Sequence, residues 1–279
     1  MTINELYRKS LKELKNPDID EINIRILICY IKGYKTMSEF YTHKNENIEE
    51  LQTFRSYFTR FLNGEPVQYI TNSTEFFGEE IYVDRRVLIP RQETEEVVDF
   101  AIKKSKEIFG DSEINVADVC CGSGCIGIAL SRQIKIKHLY FSDISFDALD
   151  VARFNCKQKG INADFYQGDA LIGLIARNKK VNLIVANPPY ILNQNDVDES
   201  VKRYEPSIAL YADDGLSVYK SIIQQIRKVI KGKILVVFEI GYDLKDKLEE
   251  LIKKEFKKCE FEFIKDINGK YRIMSIYLN

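Results

Sequence analysis

The sequence predicts an α/β fold in which a mostly parallel, doubly wound sheet follows a helical N-terminal region. From Ile114 onward, apolar runs of strand length alternate with glycine-containing loops and helical patterns. This alternation is typical of βαβ units, whose strands run parallel. Residues 1 to about 75, by contrast, carry apolar residues at helical spacing. A chain of 279 residues is long enough to hold the two parts as separate domains.

The N-terminal region is predicted to be a small helical bundle. Glu21–Tyr34 forms one amphipathic helix, and Asn47 is expected to cap a second helix that ends at Gly64. The apolar stripe of the first helix is Ile24, Leu27, Ile28 and Ile31. The stripe of the second helix is Ile48, Leu51, Phe54, Phe58, Phe61 and Leu62. Both stripes are typical of a bundle core.

The region after the bundle changes to a strand-forming composition. Residues 67–90 are rich in β-branched and aromatic residues and predict a β-hairpin linker with a turn at Gly78. An amphipathic helix over Glu93–Ile108 follows, with Thr94 as its candidate cap. The predicted sheet strands are Asn115–Cys120, His138–Ser142, Asp164–Tyr166, Val181–Ala186, Lys233–Glu239, Phe261–Ile264 and Arg272–Tyr277. The expected domains are therefore 1–66 for the bundle, 67–90 for the linker and 91–279 for the sheet domain.

The charge balance gives no support to stable nucleic-acid binding. The chain carries 41 basic and 42 acidic residues, so its formal net charge of −1 implies no general affinity for polyanions. Its first residues contain no apolar segment of signal-peptide length, and no window approaches the roughly 18 apolar residues of a membrane span. A cytoplasmic enzyme without membrane association, acting as a monomer, is the expected class.

The cysteines are scattered over the chain, which favours reduced thiols over a disulfide framework. They are Cys29, Cys120, Cys121, Cys125, Cys156 and Cys259. Cys121 and Cys125 have the first interval of a CxxxCxxC cluster motif, but the third position is Ile128. The two histidines, His43 and His138, do not pair with these cysteines in the sequence. No metal site is therefore predicted.

The tetrapeptide Asn187-Pro188-Pro189-Tyr190 follows the apolar run Val181–Ala186, which predicts a buried strand. The prolines stop that strand and stiffen the backbone, because each ring fixes φ and removes an N–H. Open α/β sheets bind ligands at such carboxyl ends. The acceptor oxygens of the Asn187 side chain and the Pro188 carbonyl, beside the flat Tyr190 ring, suit a planar –NH2 group. The motif therefore predicts an amide or a base amine as target, with a simple strand-ending turn as the alternative.

A glycine loop lies between the first predicted sheet strand and a helix. It consists of Asp118, Val119, Cys120, Cys121, Gly122, Ser123 and Gly124. Gly122 and Gly124 lack a Cβ, so a ligand can approach the backbone closely, and together with Gly127 they satisfy the GxGxxG pattern of dinucleotide sites. Asp118 suits a cationic amino-acid portion and not a pyrophosphate. This acid favours S-adenosylmethionine over NAD.

Acidic residues also follow the next two predicted strands. Asp143 ends the second strand, where a carboxylate can hydrogen-bond both ribose hydroxyls. Asp169 and Ala170 follow the third strand, and an Asp there can accept from an adenine amine. Nothing in the sequence supplies a hydride-transfer site. These residues predict an S-adenosylmethionine site, with a tight strand–helix turn and a buried Asp as the structural alternative.

Further motifs are spread over essentially the whole chain. They are Gly64-Glu65-Pro66, Glu75-Phe76-Phe77-Gly78, Leu88 to Glu95, the DVCCGSGCIGIAL loop, Ser142 to Ser145, Asn187 to Ile191, Tyr204-Glu205-Pro206, Ala209-Leu210, Asp213 to Leu216, Phe238 to Gly241 and Asp266 to Arg272. With these motifs the chain resembles the protein-glutamine N5-methyltransferases that modify peptide chain release factors. NPPY alone is shared with methyltransferases acting on amines of DNA adenine and of RNA, whereas the IPRxET and YEP motifs are much more specific.

The resemblance implies a Rossmann-like, seven-stranded S-adenosylmethionine-dependent methyltransferase domain preceded by the helical bundle and the hairpin. It implies that the substrate is the Gln of a Gly-Gly-Gln loop in release factors, which the bundle contacts outside that loop. We expect the cofactor to contact Asp118, Cys120, Cys121, Gly122, Ser123, Gly124, Asp143, Asp169, Ala170 and Asn187. We expect the substrate to contact Asn187, Pro188, Pro189 and Tyr190, with Asn187, Pro188 and Tyr190 as the catalytic residues.

Position 120 departs from the family pattern, because members usually have glycine where this chain has Cys120. A Cβ and a sulfur there would narrow the space beside the methionine portion of the cofactor. Either the backbone at this position does not need a positive φ, or cofactor affinity is altered. The sequence leaves both alternatives open.

Other functions and other roles also remain open at this stage. The alternative functions are a ribosomal-protein glutamine methyltransferase, an adenine-N6 nucleic-acid methyltransferase and an adaptor that binds cofactor without catalysis. Arg91 and Glu93 order a cofactor lid or form a local salt bridge. Glu205 and Pro206 are expected to shape the loop over the substrate, and Glu239 is either structural or directed into the site.

Overall fold

A computed structural model of the chain describes residues 1–14, 17–192, 197–212 and 214–279. Asp213, which belongs to one of the motifs above, lies outside the described residues. The chain divides into two compact units, Met1–Ser73 and Thr74–Asn279.

The first unit is helical, as predicted. Its helices are α1 (Ile3–Leu11), α2 (Pro17–Lys32), α3 (Met37–His43), α4 (Leu51–Leu62) and α5 (Val67–Thr71). Helix α1 begins in a capping box, in which Thr2 and Glu5 each satisfy a backbone N–H of the other. The predicted stripes of α2 and α4 supply much of the core, in which Ile24, Leu27 and Phe54 are almost fully buried. Leu62 was predicted in the α4 stripe but is exposed, because it is the last residue of the helix.

Two local predictions for this region are wrong. Asn47 does not cap α4: the helix begins four residues later, and Asn47 instead forms a β-bridge with Thr2. The neighbouring Ile48 N–H donates to the Met1 carbonyl, so this segment is held against the N-terminal residues. The hairpin predicted from Val67 begins later, because Val67–Thr71 forms α5, which ends at Asn72 with a left-handed φ of 53°. The two hairpin strands are β1 (Ser73–Phe76) and β2 (Glu79–Tyr82).

The second unit contains the predicted doubly wound sheet. Its helices are α6 (Gln92–Phe109), α7 (Cys125–Gln133), α8 (Phe146–Gln158), α9 (Ile172–Ala176), α10 (Glu199–Tyr204), α11 (Ser217–Val229) and α12 (Lys245–Glu255). Its sheet strands are β3 (Ile114–Val119), β4 (Ile136–Asp143), β5 (Asp164–Gln167), β6 (Val181–Ala186), β7 (Ile230–Glu239), β8 (Glu260–Lys265) and β9 (Tyr271–Leu278). Each predicted sheet strand is therefore present, with ends shifted by up to three residues.

Within the described residues the sheet has seven strands in the order β5-β4-β3-β6-β7-β9-β8. Strands β3 to β7 pair in parallel, and β9 runs antiparallel to both β7 and β8. Every residue of β3 is buried, as expected for a central parallel strand with both faces covered by helices. The fold is therefore the seven-stranded α/β architecture that the sequence predicts.

The start of α6 differs from the prediction. The residue at the N-cap is Arg91, and Thr94 lies at the third helical position with only 3% of its surface exposed. Thr94 is therefore not the cap. Its side chain is instead available for contacts with the neighbouring strand ends.

Candidate active site

The carboxyl ends of the five parallel strands place polar and glycine residues along one edge of the sheet. Following the sheet order from β5 to β7, the residues at or just after these ends are Asp169, Asp143, Cys120, Asn187 and Glu239. Two cavities lie at this edge, which is where open α/β sheets bind their ligands. The residues that the sequence predicts to be functional are thus brought together by the fold, although they span more than a hundred positions of the chain.

The first cavity has a volume of about 240 Å³. Most of the predicted cofactor residues line it: Cys120, Cys121, Gly122, Ser123, Asp143, Asp169, Ala170 and Asn187. Asp118 and Gly124 do not line it, although both lie in the glycine loop.

Asp118 is fully buried beneath the glycine loop. Its Oδ2 atom accepts a hydrogen bond from the Gly127 N–H at 2.8 Å, and its Oδ1 atom has no hydrogen-bond partner among the described residues. Burial raises the pKa of Asp118 well above its ordinary value, and the Gly127 hydrogen bond opposes that rise. Asp118 thus ties the first turn of α7 to β3. Its predicted contact with the cationic end of the cofactor stays a prediction.

Gly124 and Gly127 hold α7 close to the sheet. A Cβ at Gly124 would lie 3.1 Å from the Ala152 Cβ of α8 and 3.2 Å from the Phe141 ring of β4, and one at Gly127 would lie 2.5 Å from the same ring. Gly124 also has a left-handed φ of 80° at the start of the helix. These glycines are therefore required for close helix–strand packing, which is one of the roles of glycine in such loops.

Cys120 has a φ of 57°, in the left-handed region that favours glycine. The alternative that the backbone here does not need a positive φ is therefore wrong. A non-glycine residue in this region carries a strain of the order of 1–3 kcal/mol. The chain keeps the conformation of the usual glycine and accommodates a side chain that lines the cavity.

We expect Cys120→Gly to leave the protein at least as stable as the wild type, and Cys120→Val to lower its free energy of unfolding by about 1–2 kcal/mol. Glycine relieves the left-handed strain, whereas a β-branched residue at positive φ increases it. Urea unfolding of the three proteins measures the difference. A Cys120→Gly variant less stable than Cys120→Val would contradict this account of the backbone.

Asp143 fixes the glycine loop from the end of β4. Its Oδ2 atom accepts from the Gly122 N–H at 3.0 Å, and its Oδ1 atom accepts from the Ser145 N–H at 2.9 Å. Burial raises the pKa of Asp143, and these backbone hydrogen bonds oppose the rise. Each carboxylate oxygen has further acceptor capacity, so the same group can also bind hydroxyls in the cavity that it lines.

Asp169 and Ala170 form the wall of the first cavity at the end of β5. Ala170 has a φ of 53°, and its carbonyl accepts from the Ser142 hydroxyl at 2.7 Å. The Asp169 carboxylate is exposed and accepts from the Ser221 hydroxyl at 3.0 Å. It therefore remains accessible to a ligand amine.

The second cavity has a volume of about 370 Å³ and is lined by all four residues of the NPPY motif. The residues that line both cavities are Leu88, Arg91, Asn187, Pro189 and Ala209. Asn187 thus lies in the wall that separates the two spaces. A ligand in one cavity and a ligand in the other would both contact this shared wall.

A chain of two hydrogen bonds leads from Asn187 into the protein. The Asn187 Nδ2 atom donates to the Thr94 Oγ1 atom at 3.3 Å, and the Thr94 hydroxyl donates to the Glu239 Oε2 atom at 2.6 Å. Glu239 has only 3% of its surface exposed and lines the second cavity. The sequence predicted Thr94 only as a helix cap and not in this position. Its position in the IPRQET motif was the signal that could have indicated it.

Tyr190 is held by Arg272, near the start of β9. Its hydroxyl lies 3.4 Å from the Arg272 Nη1 atom, and the Arg272 Nε atom donates to the buried Asp266 at 3.2 Å. Burial raises the pKa of Tyr190 to about 12, with Glu239 adding to the rise. Tyr190 therefore stays a neutral phenol at physiological pH and presents an uncharged ring to the second cavity.

Arg91 and Glu205 form an ion pair, with the Arg91 Nη2 atom 2.6 Å from the Glu205 Oε1 atom. The second oxygen of Glu205 accepts from the Ile89 N–H at 3.1 Å. Glu205 is 5% exposed. Its two bonds hold the segment that contributes Leu88 and Arg91 to the lining of both cavities. The ion pair of Arg91 is therefore not a local one, since Glu205 lies more than a hundred residues further along the chain. Through this pair, Glu205 helps to position the shared wall.

Across the described ranges, no group of three or more His, Cys, Asp or Glu side chains is arranged to hold a metal ion. All six cysteines are free thiols. Likewise, none of the helices in the described part of the chain is both long enough and apolar enough to cross a membrane.

The sheet order, the glycine loop after β3 and the acidic residue at the end of β4 define the class of the second unit as a Rossmann-like methyltransferase domain. A family model described as "Methyltransferase small domain" matches residues 99–204, and one described as "PrmC N-terminal domain" matches residues 5–71. The 16S rRNA N2 G1207 methyltransferase of T. thermophilus has a similar structure, with a TM-score of 0.53 and 13% identity over 74% of this chain and 50% of that chain. At this identity the likeness shows the fold alone.

Relatives of known name cover almost the whole chain. The release factor glutamine methyltransferase of Bacillus subtilis is 39% identical over 277 residues, which are 97% of this chain and 96% of the relative. The enzyme of the same name from Staphylococcus aureus is 35% identical over 245 residues, which are 86% of each chain. The chain belongs to the release factor glutamine methyltransferase family.

Proposed function

We propose that this protein transfers a methyl group from S-adenosylmethionine to the side-chain amide nitrogen (N5) of the glutamine in the Gly-Gly-Gln motif of translational release factors. The observation that carries the proposal is the position of Asn187 in the wall shared by the two cavities. The hydrogen bond to Thr94 occupies its side-chain nitrogen, which leaves the side-chain oxygen for a substrate N–H. Membership of the release factor glutamine methyltransferase family supports the choice of substrate.

The residues of the first cavity fit S-adenosylmethionine. Asp143 and Asp169 offer carboxylate oxygens, which suit the ribose hydroxyls and the adenine amine. Gly122 has no atom within 4 Å of the position that a Cβ would take, and its backbone lines the cavity. The glycine loop can therefore pass close to the ligand. When bound, the cofactor supplies an electrophilic methyl group on a sulfonium.

An amide nitrogen is a poor nucleophile, because its lone pair is delocalised into the carbonyl. We propose that the Asn187 Oδ1 atom and the Pro188 carbonyl accept the two N–H bonds of the substrate amide. As the nitrogen gains positive character, these acceptors bind it more strongly than in the ground state, which lowers the barrier. The Pro188 carbonyl belongs to a backbone that two consecutive prolines stiffen, so little reorganisation is needed there when the charge develops.

The other residues of the motif position the amide. Tyr190 lines the second cavity and would pack on the flat amide, with Arg272 and Asp266 holding its hydroxyl end. Pro188 and Pro189 have no N–H, so no backbone donor at these positions competes with the substrate. A strong general base is not required, because the nitrogen is positively charged directly after it takes the methyl group, and the N–H of that cation is acidic enough to lose its proton to water.

We also propose that the N-terminal residues, 1–66, contact the release factor outside its Gly-Gly-Gln loop, and that 67–90 and 91–279 act as linker and catalytic domain. The match of residues 5–71 to a domain of its own supports a separate N-terminal function. The compact unit Met1–Ser73 ends a few residues later than the proposed boundary.

The proposed function is tested by incubating the full-length protein with methyl-labelled S-adenosylmethionine and a release factor, a ribosomal protein or DNA. We expect label on the Gly-Gly-Gln peptide of the release factor, and none after the substrate Gln is changed to Glu. Mass spectrometry of the digested peptide locates the label. Label on adenine, or on the ribosomal protein alone, would overturn the proposed substrate.

A further inference from the structure

The orientation of the Asn187 amide decides whether the proposed reaction can occur. The side chain carries an acceptor, Oδ1, and a donor, Nδ2. Under the proposed function, on which this inference rests, the substrate nitrogen brings N–H donors that need an acceptor. A rotation of the Asn187 amide by 180° would place its own N–H groups against those of the substrate. Some other group must therefore select one of the two orientations.

Thr94 contacts Asn187, but a hydroxyl alone cannot make this selection. The Asn187 Nδ2 atom lies 3.3 Å from the Thr94 Oγ1 atom and donates to it. A hydroxyl has one proton and two lone pairs, so it can accept from Nδ2 or, after rotation, donate to Oδ1. Both orientations of Asn187 would satisfy a free threonine hydroxyl. The selection requires that the Thr94 proton be directed elsewhere.

Glu239 accepts the hydrogen bond that this proton makes. The Thr94 hydroxyl donates to the Glu239 Oε2 atom at 2.6 Å, which is within the range of a charge-assisted hydrogen bond. An ionised carboxylate only accepts, and Thr94 and Glu239 are each only 3% exposed, so water has little access to this bond. Thr94 is left with lone pairs alone to offer to Asn187. Only the Nδ2 atom of Asn187 can satisfy them.

Glu239 is held in the position that this arrangement requires. It ends β7, and the Tyr219 hydroxyl donates to its backbone carbonyl at 2.8 Å. Burial raises the pKa of Glu239, while the Thr94 hydrogen bond and the charge of Arg272 oppose the rise. The hydrogen bond from Thr94 thus keeps the pKa of Glu239 lower than burial alone would make it.

We propose that Glu239 and Thr94 are positioning residues that fix the orientation of the Asn187 side-chain amide through the single hydroxyl proton of Thr94. The three residues come from the end of β7, the first turn of α6 and the end of β6. Thr94 lines the first cavity, Glu239 lines the second and Asn187 lines both. The relay thus lies along the wall in which the acceptor for the substrate is needed.

The test compares Thr94→Val, Thr94→Ser and Glu239→Gln in the full-length protein, with a release factor and S-adenosylmethionine as substrates. Thr94→Val keeps the shape and removes the hydroxyl, so we expect kcat to fall about 10- to 100-fold, the scale of a misplaced reacting group. Thr94→Ser keeps the hydroxyl and should restore most of kcat. In Glu239→Gln the new amide can donate to the Thr94 hydroxyl, which is then free to donate its own proton to the Asn187 Oδ1 atom. This variant should therefore lower kcat as Thr94→Val does. The KM for S-adenosylmethionine should change less than about threefold in all three variants.

A wild-type kcat in Thr94→Val, or an equal loss of kcat in Thr94→Ser, would overturn the relay. If Thr94→Val does not fold, as judged by thermal unfolding, Glu239→Gln decides alone, and a wild-type kcat there also overturns it. Asn187→Ala is measured in parallel. If Asn187→Ala is inactive while Thr94→Val is fully active, only the relay fails. If Asn187→Ala is also fully active, the proposed role of Asn187 itself fails.

Discussion

Asn187→Ala is expected to lower kcat for release factor methylation by about 10²- to 10³-fold while leaving the protein folded. The change removes one of the two fixed acceptors proposed to stabilise the positive character of the nitrogen, and the loss of one preorganised hydrogen-bonding group of this kind costs about this much in other active sites. The side chain is only partly buried, and the hydrogen bond that it makes to the described part of the chain is the one to Thr94 at 3.3 Å. The effect should therefore appear in kcat and not in stability.

Asn182→Ala is the matched control for this experiment. Asn182 lies at the other end of the same strand, β6, where its side chain accepts from the Asn115 N–H at 3.1 Å and donates to the Lys231 carbonyl at 2.8 Å. Removing this side chain should lower the free energy of unfolding, because these hydrogen bonds are lost. It should leave kcat within about twofold, because Asn182 lines neither cavity. Steady-state kinetics and thermal unfolding of both variants separate the two effects. Equal turnover in Asn187→Ala and Asn182→Ala would rule out the proposed mechanism.

The parallel sheet and the residues at its strand ends could be predicted because their signals are local. An apolar run such as Val181–Ala186, stopped by two prolines, is recognisable within ten residues, and the carboxyl ends of parallel strands necessarily meet at one edge. The positions of Asp143 and Asn187 beside the cavities follow from this topology alone. The structure accordingly places the NPPY motif and the glycine loop at the same edge of the sheet.

The relay behind Asn187 could not be predicted, because its members are distant in sequence. Thr94 lies 93 positions from Asn187 and 145 positions from Glu239. Its local context, a threonine near the start of an amphipathic helix, is equally typical of an N-cap. Only the packing of α6 against the end of β7 shows that the helix begins earlier and that the hydroxyl is buried against a carboxylate.

Position 120 illustrates a different limit of the sequence. A cysteine in a glycine position can mean either that the backbone has changed or that the strain is tolerated, and composition does not distinguish the two. The structure keeps the left-handed φ of 57°, so the strain is tolerated. The prediction for Asn47 was wrong for a related reason, since a residue that favours helix caps is also suited to irregular segments. Here the segment at Asn47 forms backbone hydrogen bonds with the N-terminal residues instead of capping α4.

Asp143→Ala is expected to raise the Kd for S-adenosylmethionine about 100-fold. The carboxylate is proposed to accept from both ribose hydroxyls, and two hydrogen bonds to a charged group at about 1.5 kcal/mol each amount to about 3 kcal/mol, which is about two powers of ten in Kd. The same change also frees the Gly122 and Ser145 N–H groups, which the carboxylate holds at 3.0 and 2.9 Å. The glycine loop then loses the anchor that keeps it against the cavity, which adds to the loss.

Asp150→Ala controls for the change in net charge. Asp150 lies in α8 and pairs at the surface with Arg153 at 2.6 Å, an interaction of the kind worth at most about 1 kcal/mol to stability. It lines neither of the two cavities, so its removal should leave the Kd unchanged within about twofold. Asp143→Asn keeps one acceptor oxygen, so its Kd for S-adenosylmethionine should lie between those of Asp143→Ala and Asp150→Ala. Isothermal titration calorimetry measures all three, and an Asp143→Ala variant that binds as tightly as Asp150→Ala would show that the carboxylate at the end of β4 does not hold the ribose.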